Sequence, residues 1–400
     1  MHWSGLRSNN RSLAIVRVFV LLSTLALFVF STIFAGCAGG APRIDGLNYI
    51  SSFEGGHKYR LGNIDVLLLS GTYKEMGRQY GGLMKDKLNV YADIVDVWVK
   101  QPGQAIEWVG KAMIDTTLIY PERFRQIVEG MSETSGLSVK QLSSIDLNYC
   151  SAIAAWGDYT GGGPLVVGRN DDIPGLPEGF ENYWVFTVYN PSDGSLPCAF
   201  LSGVGAVSCD LGYNKNGLML LADDGSVEGQ PSAPDRVFFP IELTQFMFDS
   251  SNFQSLEAEV ASTLPNMQNI ILLADKDKAV SYELAVNNTY KVPPTDVGLV
   301  VQTNHFLDPR WGKLPPPSSP TSYQRYSNLV NLAKKNKGKI DPSVMMTMMS
   351  TPISEGGVFR PGETALQHVF VPASLELWIS IPNCQDWVHV PLKELFNVAD

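Results

Sequence analysis

One cysteine and a charged motif about twenty residues later are the part of this sequence best suited to chemistry. Cys150 begins a short apolar stretch, a glycine-rich turn follows at 161–163, and residues 168–172 then read Gly-Arg-Asn-Asp-Asp. A hairpin centred on residue 161 would place Cys150 opposite Asp172. The guanidinium of Arg169 would lie nearby. A thiol among a guanidinium, an amide and carboxylates is a setting in which cysteine becomes a nucleophile.

Other catalytic and metal-binding patterns are missing from the sequence. There is no Gly-x-Ser-x-Gly motif, no Cys-x-x-Cys and no His-Glu-x-x-His, and the histidines are scattered. These absences argue against a serine hydrolase of the common type and against a zinc site. We therefore expect neither a metal nor an organic cofactor.

The composition is that of a globular protein of one large or two ordinary domains. The chain has 400 residues, of which 44% are hydrophobic and 18% are charged, and its formal net charge is −10. No cluster of basic residues interleaved with aromatic residues occurs, so a nucleic-acid partner is not expected.

The N-terminus has the pattern of an export signal. Three arginines precede a largely apolar run at 18–35, which ends in Phe34-Ala35-Gly36-Cys37. Small residues before a cysteine resemble a bacterial lipoprotein cleavage site, which predicts an export signal at 1–37 and lipidation of Cys37. The alternative is an uncleaved transmembrane anchor. Both place the residues after Gly40 outside the cytoplasm and tethered to a membrane, as in a cell-envelope lipoprotein.

Four further cysteines follow this segment. An extracytoplasmic compartment permits disulfides, and Cys198 and Cys209 could pair across a second hairpin because they flank a glycine-containing segment. The pairing of Cys384 is left open.

The periodicity of apolar residues divides the chain near Cys150. Residues 41–149 are predicted to be mainly helical, with capping boxes at Thr72–Glu75 and Ser138–Gln141. Glycines within the first predicted helix, Gly77 among them, indicate close packing against a neighbour.

From Cys150 onward, strands and helices alternate in groups, which indicates two sheets with helices packed outside them. Strands are predicted at 152–154, 165–167, 183–189, 198–208, 218–222, 270–274, 279–285, 297–303, 367–371 and 375–381. Helices are predicted at 240–249, 255–264, 322–334 and after Asp341-Pro342.

Five motifs in a fixed order resemble those of a known family. They are Cys150-Ser151-Ala152, the segment 168–172, Gly212-Tyr213-Asn214-Lys215-Asn216-Gly217-Leu218, Thr303-Asn304-His305 and Ser322-Tyr323-Gln324-Arg325-Tyr326. The series resembles the cysteine-type N-terminal-nucleophile hydrolases. The nearest branch is that of the isopenicillin-N acyltransferase-like peptidases, and choloylglycine hydrolases are more distant. The resemblance covers about residues 60–395.

The resemblance implies an α+β fold with a four-layer αββα sandwich. The catalytic domain would be 150–400, and 41–149 would be a helical propeptide or small subunit. Cys150 would become an N-terminus by self-cleavage of the Tyr149–Cys150 bond, its thiol acting as nucleophile and its amine as base. Tyr149 departs from the small residue that penicillin-processing members have at this position.

The resemblance also implies roles for five further residues. Arg169 and Asp172 would fix and polarise the nucleophile, and Asn214 would stabilise an oxyanion. Asn304 and Arg325 match later positions of the site. His305, beside Asn304, is expected to be structural because a free amine makes a histidine base redundant.

The chemistry of an N-terminal cysteine agrees with these roles. A cysteine thiol has a pKa of about 8.5 and an α-amine one of about 7.7–8.0, so one residue carries a nucleophile and a base near neutral pH. The expected reaction is acyl transfer from a small-molecule amide through an acyl-thioester, to water or to an amine. The alternatives are a catalytically inactive lipoprotein that binds a ligand or partner, and a lipid amidase or esterase.

Overall fold

Two β-sheets dominate the computed structural model, which describes residues 41–98, 120–142, 149–176, 178–225, 231–312, 317 and 319–399. Within these residues, the first sheet has ten strands in the order β1-β2-β3-β6-β7-β8-β9-β10-β11-β12. They are β1 Asn48–Phe53, β2 Gly56–Leu61, β3 Ile64–Gly71, β6 Trp184–Pro191, β7 Cys198–Gly203, β8 Leu211–Asn214, β9 Met219–Asp224, β10 Asn269–Ala274, β11 Ala279–Ala285 and β12 Asn288–Val292.

The second sheet has six strands over the same described ranges, in the order β13-β4-β5-β14-β15-β16. They are β4 Tyr149–Ala155, β5 Val166–Asp172, β13 Leu299–Gln302, β14 Thr364–Val371, β15 Glu376–Ile381 and β16 Gln385–Val390. The strands that carry Cys150 and Arg169 are therefore central in this sheet, where both faces are covered.

Helices cover the outer face of each sheet. Helices α1 Tyr73–Trp98, α2 Glu122–Ser135, α3 Val139–Leu142, α4 Phe239–Asp249 and α5 Phe253–Ser262 belong to the side of the first sheet, and α6 Ser322–Lys335 and α7 Pro342–Ser350 pack on the second. Helix α8, Leu392–Ala399, contacts strands of both sheets. Because β9 and β11 of the first sheet contact β4 and β13 of the second, the arrangement is the predicted α+β sandwich of helix, sheet, sheet and helix layers.

Apolar side chains hold these layers together. Residues of α6 and α7, such as Leu329, Met345 and Met349, pack with Ile153 and Val369 on the outer face of the second sheet. A larger cluster joins the two sheets to each other and to the helices over the first sheet. Burial of this apolar surface is the main favourable term in folding.

The prediction that 41–149 is mainly helical is right for α1, α2 and α3 and wrong for 48–71. Three strands occupy 48–71, and β3 pairs in parallel with β6 from Asp65↔Val185 to Gly71↔Pro191. The apolar run in β3 is buried on both faces, as parallel strands usually are. The described part of the segment before Cys150 is thus built into the first sheet, and the described residues from Arg43 onward belong to one compact unit.

The two capping boxes and the close helix packing predicted for residues 41–149 are confirmed. The Thr72 and Glu75 backbone N–H groups each bond the other residue's side chain, and Ser138 and Gln141 do the same. A Cβ atom at Gly77 would collide with the Ile127 carbonyl oxygen of α2. Glycine is therefore required where these two helices cross.

The other sequence-based expectations have mixed outcomes. The predicted strands and helices after Cys150 are present, with the strand expected at 198–208 ending at Gly203. Strands β8, β12 and β16 and helix α8 were not predicted. Cys198 and Cys209 are free thiols, so the proposed disulfide is wrong.

The predicted export signal and Cys37 lie outside the described residues. Within the part of the chain that is described, none of the helices combines the length and hydropathy of a bilayer-spanning segment.

Candidate active site

The site is built on the hairpin of β4 and β5, whose register differs by one residue from the predicted one. Cys150 pairs with Asp171, Tyr149 with Asp172 and Ala152 with Arg169. The turn contains a 3-10 helix at Gly157–Thr160 followed by two left-handed glycines. The centre of the hairpin therefore lies between residues 160 and 161 and not at residue 161. The prediction that Cys150 pairs with Asp172 is wrong.

This register decides which side chains share a face of the sheet. Directly paired residues project to the same side, and neighbours along a strand project to opposite sides. Cys150, Asp171 and Arg169 therefore face the first sheet. Asp172 projects the other way, toward α6.

The sulfur of Cys150 is fully buried between the sheets and contacts two charged groups. Arg169 Nη2 donates to it at 3.1 Å, and the thiol donates to Asp171 Oδ1 at 3.2 Å. Arg169 Nη2 also reaches Asp210 Oδ2 at 2.7 Å and the Ala222 carbonyl oxygen at 2.8 Å. Arg169 thus links the sheet that carries Cys150 to the loop before β8 and to β9.

Arg169 is surrounded by more negative charge than it carries. Asp171 Oδ1 lies 2.6 Å from Nη2, and Asp223 Oδ1 lies 3.9 Å from Nε. Together with Asp210, three carboxylates face one guanidinium. Burial raises the pKa of Asp223 to about 7 despite the opposing effect of Arg169, which reduces this excess of negative charge near neutral pH.

The environment of Cys150 keeps its thiol protonated. Burial raises the pKa of Cys150 well above its usual value, Arg169 opposes this, and the nearby aspartates add to the increase. Burial also disfavours the charged form of Asp171, but Arg169 and His368 outweigh it and hold its pKa below the usual range. The resting state is a neutral thiol donating to a carboxylate.

The main chain of Cys150 is held by two of the predicted site residues. Its N–H donates to Asn304 Oδ1 at 3.1 Å, and Arg325 Nη1 donates to its carbonyl oxygen. Arg325 Nη2 also donates to Asn304 Oδ1 at 2.6 Å and to Ser319 Oγ at 2.9 Å. Asn304 and Arg325, 154 and 175 residues away in sequence, are thus brought to the candidate nucleophile.

Asp172 lies with Asn304 and Arg325 in the group of side chains around the main chain of Cys150, which we call the main-chain cluster. It does not contact the thiol. Its Oδ1 accepts from Thr364 Oγ1 at 2.6 Å, and its Oδ2 lies 3.6 Å from Arg325 Nη1 and 3.9 Å from Arg360 Nη1. Burial raises its pKa to about 6, against the effect of the arginines. Its catalytic role stays a prediction.

Asn214 is the one predicted residue that the structure does not bring to Cys150. Its Nδ2 donates to the carbonyl oxygens of Met247 and Ser250 at 3.2 and 2.9 Å. Its Oδ1 accepts from the N–H groups of Asn216 and Leu218. The amide is fully used in joining a turn to the end of α4.

Sequence reasoning missed four residues around the thiol. Asp171 was the unassigned position of the Arg-Asn-x-Asp motif, although its place two residues after Arg169 put both on one strand face. Asp210 and Asp223 reach the site only through the packing of the two sheets. His368 comes from β14, where it pairs with Arg169.

The positive centre of the site is a guanidinium. Among the described residues, Cys150, Asp171 and Asp210 bring ligand atoms within 4.8 Å of one another, as around a metal ion. Arg169 Nη2 lies within hydrogen-bonding distance of all three. The guanidinium of Arg169 therefore occupies the position that a metal ion would take among these three side chains.

A cavity of about 250 Å³ adjoins Asn304. Its described walls contain no Asp, Glu, Lys or Arg, and they include the rings of His305, Phe306, Trp311 and Tyr323. His305 bonds Ser322 Oγ at 2.7 Å, and burial lowers its pKa to about 4. It is therefore neutral at ordinary pH, and the described walls of the cavity are uncharged and combine aromatic rings with the amide side chains of Gln268, Asn287, Asn288 and Asn304.

Comparisons with known proteins give weak similarities in structure and none in sequence. None of the known protein-family models matches the chain, and no curated protein matches it significantly. A Caenorhabditis elegans N-acylethanolamine-hydrolyzing acid amidase ortholog shares 16% identity at a TM-score of 0.43, covering 60% of this chain and 100% of that one.

Two bacterial structures are similar to a comparable degree. A mutant conjugated bile acid hydrolase from Clostridium perfringens shares 11% identity at a TM-score of 0.38, covering 61% of this chain and 93% of that one. Penicillin V acylase from Agrobacterium tumefaciens shares 12% at 0.40, covering 60% and 86%. At these values the similarities carry no information about activity or substrate.

Proposed function

We propose that this chain is an amide hydrolase whose nucleophile is the thiol of Cys150, freed by self-cleavage of the Tyr149–Cys150 bond. The strongest support is that separate groups of side chains contact the sulfur of Cys150 and its main chain. Arg169 and Asp171 contact its sulfur, and Asn304 and Arg325 hold its main-chain N–H and C=O. A buried structural cysteine needs none of these contacts.

The geometry gives each group a role once the α-amine is free. The amine stays beside Asn304 Oδ1 and takes the proton of the thiol. Arg169, 3.1 Å from the sulfur, stabilises the thiolate. The sulfur attacks the amide carbonyl carbon, the leaving amine receives the proton, and water then hydrolyses the acyl-thioester.

An amide donor for the oxyanion is assigned to Asn304 in place of Asn214. The Nδ2 group of Asn304 uses one hydrogen for the Asp224 carbonyl oxygen at 2.8 Å, and its second hydrogen would be the oxyanion donor. Loss of one oxyanion donor typically costs about 2.7–4 kcal/mol of transition-state stabilisation.

The segment before Cys150 would remain bound after cleavage. Strand β3 keeps its parallel pairing with β6, and α1 stays packed on the first sheet. The mature protein would therefore contain two non-covalently associated chains. If Cys37 is lipidated as the sequence predicts, the lipid anchor of this exported protein would lie on the smaller chain.

The substrate that fits is a small amide with an uncharged acyl group. The described wall residues of the cavity beside Asn304 are aromatic, aliphatic or amide-bearing, and none of them is charged. Transfer of a charged group into such a space is costly. A cavity of about 150 Å³ holds one benzene, so one of about 250 Å³ suits an aryl-acyl or short acyl group. Transfer to an amine instead of water requires only a different acceptor.

Mass spectrometry and N-terminal sequencing of the purified full-length protein test the proposal. We expect a fragment beginning at Cys150 in the wild type, a single chain in Cys150→Ala, and normal cleavage in Cys198→Ala, which removes another buried thiol. Hydrolysis of N-acyl amino acids, N-acylethanolamines, penicillin V and conjugated bile acids should follow cleavage. Uncleaved wild type with a fully active thiol site would contradict the self-cleavage step.

A ligand-binding protein without activity is the second candidate, and one observation favours it. The Cys150 sulfur is fully buried and its pKa is raised in the uncleaved chain. If purified protein stays uncleaved and Cys150 resists thiol reagents under native conditions, the binding function replaces the enzymatic one.

A further inference from the structure

Asp171 and His368 form a buried polar connection that starts at the candidate nucleophile. The Cys150 thiol donates to Asp171 Oδ1 at 3.2 Å, and Asp171 Oδ2 lies 3.6 Å from His368 Nε2. On the other side of the ring, His368 Nδ1 lies 3.2 Å from the Tyr213 hydroxyl oxygen. All four side chains are buried, so solvent does not replace any of these contacts.

Self-cleavage cannot use the base that the mature enzyme would use. Before cleavage the nitrogen of Cys150 is part of a peptide bond and bonds Asn304 Oδ1 as a donor. Its lone pair is delocalised into the carbonyl group and does not accept a proton. Another group must take the thiol proton while the sulfur attacks Tyr149.

We propose that Asp171 is the general base of self-cleavage, a catalytic residue in addition to those of the proposed acyl transfer. Asp171 Oδ1 accepts the thiol proton as the sulfur bonds to the Tyr149 carbonyl carbon. The same proton then passes to the Cys150 nitrogen as the C–N bond breaks, which leaves a thioester. Water hydrolyses this thioester to a Tyr149 carboxylate, a free thiol and a free amine.

The other carboxylates of the cluster do not meet this requirement. Asp172 projects to the opposite face of the sheet and contacts Thr364 and Arg325. Asp223 approaches Nε of Arg169 and accepts from Gln302, and its raised pKa leaves it partly protonated near pH 7. Asp210 bonds Arg169 through Oδ2. Asp171 instead accepts a hydrogen bond from the Cys150 sulfur directly, at 3.2 Å.

His368 acts through Asp171 and is a positioning residue. It lies on β14 opposite Arg169, so Asp171 is held between a guanidinium at 2.6 Å and an imidazole at 3.6 Å. These two contacts fix one carboxylate oxygen on the sulfur. Because the lowered pKa of Asp171 leaves the proton on sulfur at rest, cleavage should be a slow, single event, which a maturation step tolerates.

The inference rests on the proposed self-cleavage and is tested by its rate. Purified precursors of wild type, Asp171→Asn and Asp210→Asn are followed by intact mass. Asp210→Asn is the matched control because it removes a carboxylate from the same Arg169 Nη2. We expect Asp171→Asn to slow cleavage by at least about 10²-fold and Asp210→Asn by less than about tenfold.

A second readout separates maturation from turnover. Once a chain is cleaved, the α-amine is available as a base. Turnover per cleaved Asp171→Asn chain, measured after active-site titration, should therefore fall much less than the cleavage rate. Equal losses in cleavage for the two aspartate variants, or equal losses in cleavage and turnover for Asp171→Asn, would overturn the assignment.

Two histidine variants keep the test decisive if Asp171→Asn does not fold. His368→Gln retains a donor toward Asp171, whereas His368→Leu removes it. Cleavage should slow several-fold more in the leucine variant at comparable melting temperatures, and identical rates would refute the positioning role. Wild type that never cleaves would instead refute the proposed function itself.

Discussion

Two buried arginines lie on opposite faces of the same sheet and hold different parts of Cys150. Arg169 contacts the sulfur and is surrounded by Asp171, Asp210 and Asp223. Arg325 contacts the carbonyl oxygen, and its carboxylate neighbour is Asp172 at 3.6 Å. One arginine therefore contacts the side chain of Cys150 within an acidic cluster, and the other holds its main chain among mostly neutral acceptors.

The two arginine clusters therefore influence different properties of Cys150. Buried charges interact strongly because little water screens them, so the cluster around Arg169 controls the protonation of the thiol. The Arg325 cluster instead fixes where the main chain of Cys150 lies. We expect substitutions in the Arg169 cluster to alter the reactivity of the thiol and the stability of the fold together. Substitutions in the Arg325 cluster should alter mainly the position of the Cys150 main chain.

The largest expected effect comes from removing the cations. Arg169→Met leaves three carboxylates without their guanidinium, and breaking a buried pair in this way costs about 3–5 kcal/mol. Arg325→Met should cost less because fewer charges depend on it. Chemical denaturation of both variants measures the difference, and a more destabilised Arg325→Met would contradict the comparison.

Asp223 of the Arg169 cluster and Asp172 of the Arg325 cluster should make the stability of the fold depend on pH over different ranges. Asp223 has a pKa of about 7 and Asp172 one of about 6 in the folded chain, whereas unfolded aspartate titrates near 3.9. Folding therefore retains a proton between these values, and each group's contribution to stability falls as pH rises from about 4 through its folded pKa.

Asparagine mimics the protonated acid and should remove that loss. Over pH 4 to 8, Asp223→Asn should gain up to about 4 kcal/mol relative to wild type, and Asp172→Asn up to about 3 kcal/mol. Urea unfolding at several pH values gives both curves. Parallel curves for the variants and wild type would mean that neither acid retains its proton on folding.

The fold after Cys150 was largely predictable because its elements carry strong local signals. Continuous apolar runs such as Ile270–Ala274 and amphipathic segments such as 322–335 keep their pattern within a few residues. Strands β1 and β2 were missed because their side chains are half-exposed and show little alternation. Such strands are defined by pairing with distant partners, which local periodicity does not reveal.

The site was predictable in its residues and less so in its contacts. Cys150, Arg169, Asn304 and Arg325 converge as expected, yet a 3-10 helix in the turn shifted the hairpin register and exchanged Asp172 for Asp171. Asn214 bonds the main chain of its own turn and of the segment after α4, and its catalytic role stays a prediction. Register and turn length depend on backbone geometry that residue types alone do not fix.

The smallest expected effect on activity is that of Asn214→Ala. The substitution leaves buried carbonyl and N–H groups of the turn without partners and should cost about 1–3 kcal/mol of stability. Turnover per cleaved chain should change by less than about threefold, since Asn214 lies outside both arginine clusters. Thermal unfolding and steady-state kinetics check the two effects, and a loss of kcat near 10²-fold would restore Asn214 as an oxyanion donor.

Trapping the acyl-enzyme tests the central claim most directly. Matured protein is mixed with an N-acyl substrate, quenched in acid within milliseconds to seconds and measured by mass spectrometry of intact chains and peptides. The account predicts an acyl adduct on the fragment beginning at Cys150, located on its sulfur and absent from Cys150→Ala. An active enzyme whose adduct is on another residue, or whose Cys150→Ala variant hydrolyses the same substrate, would contradict it.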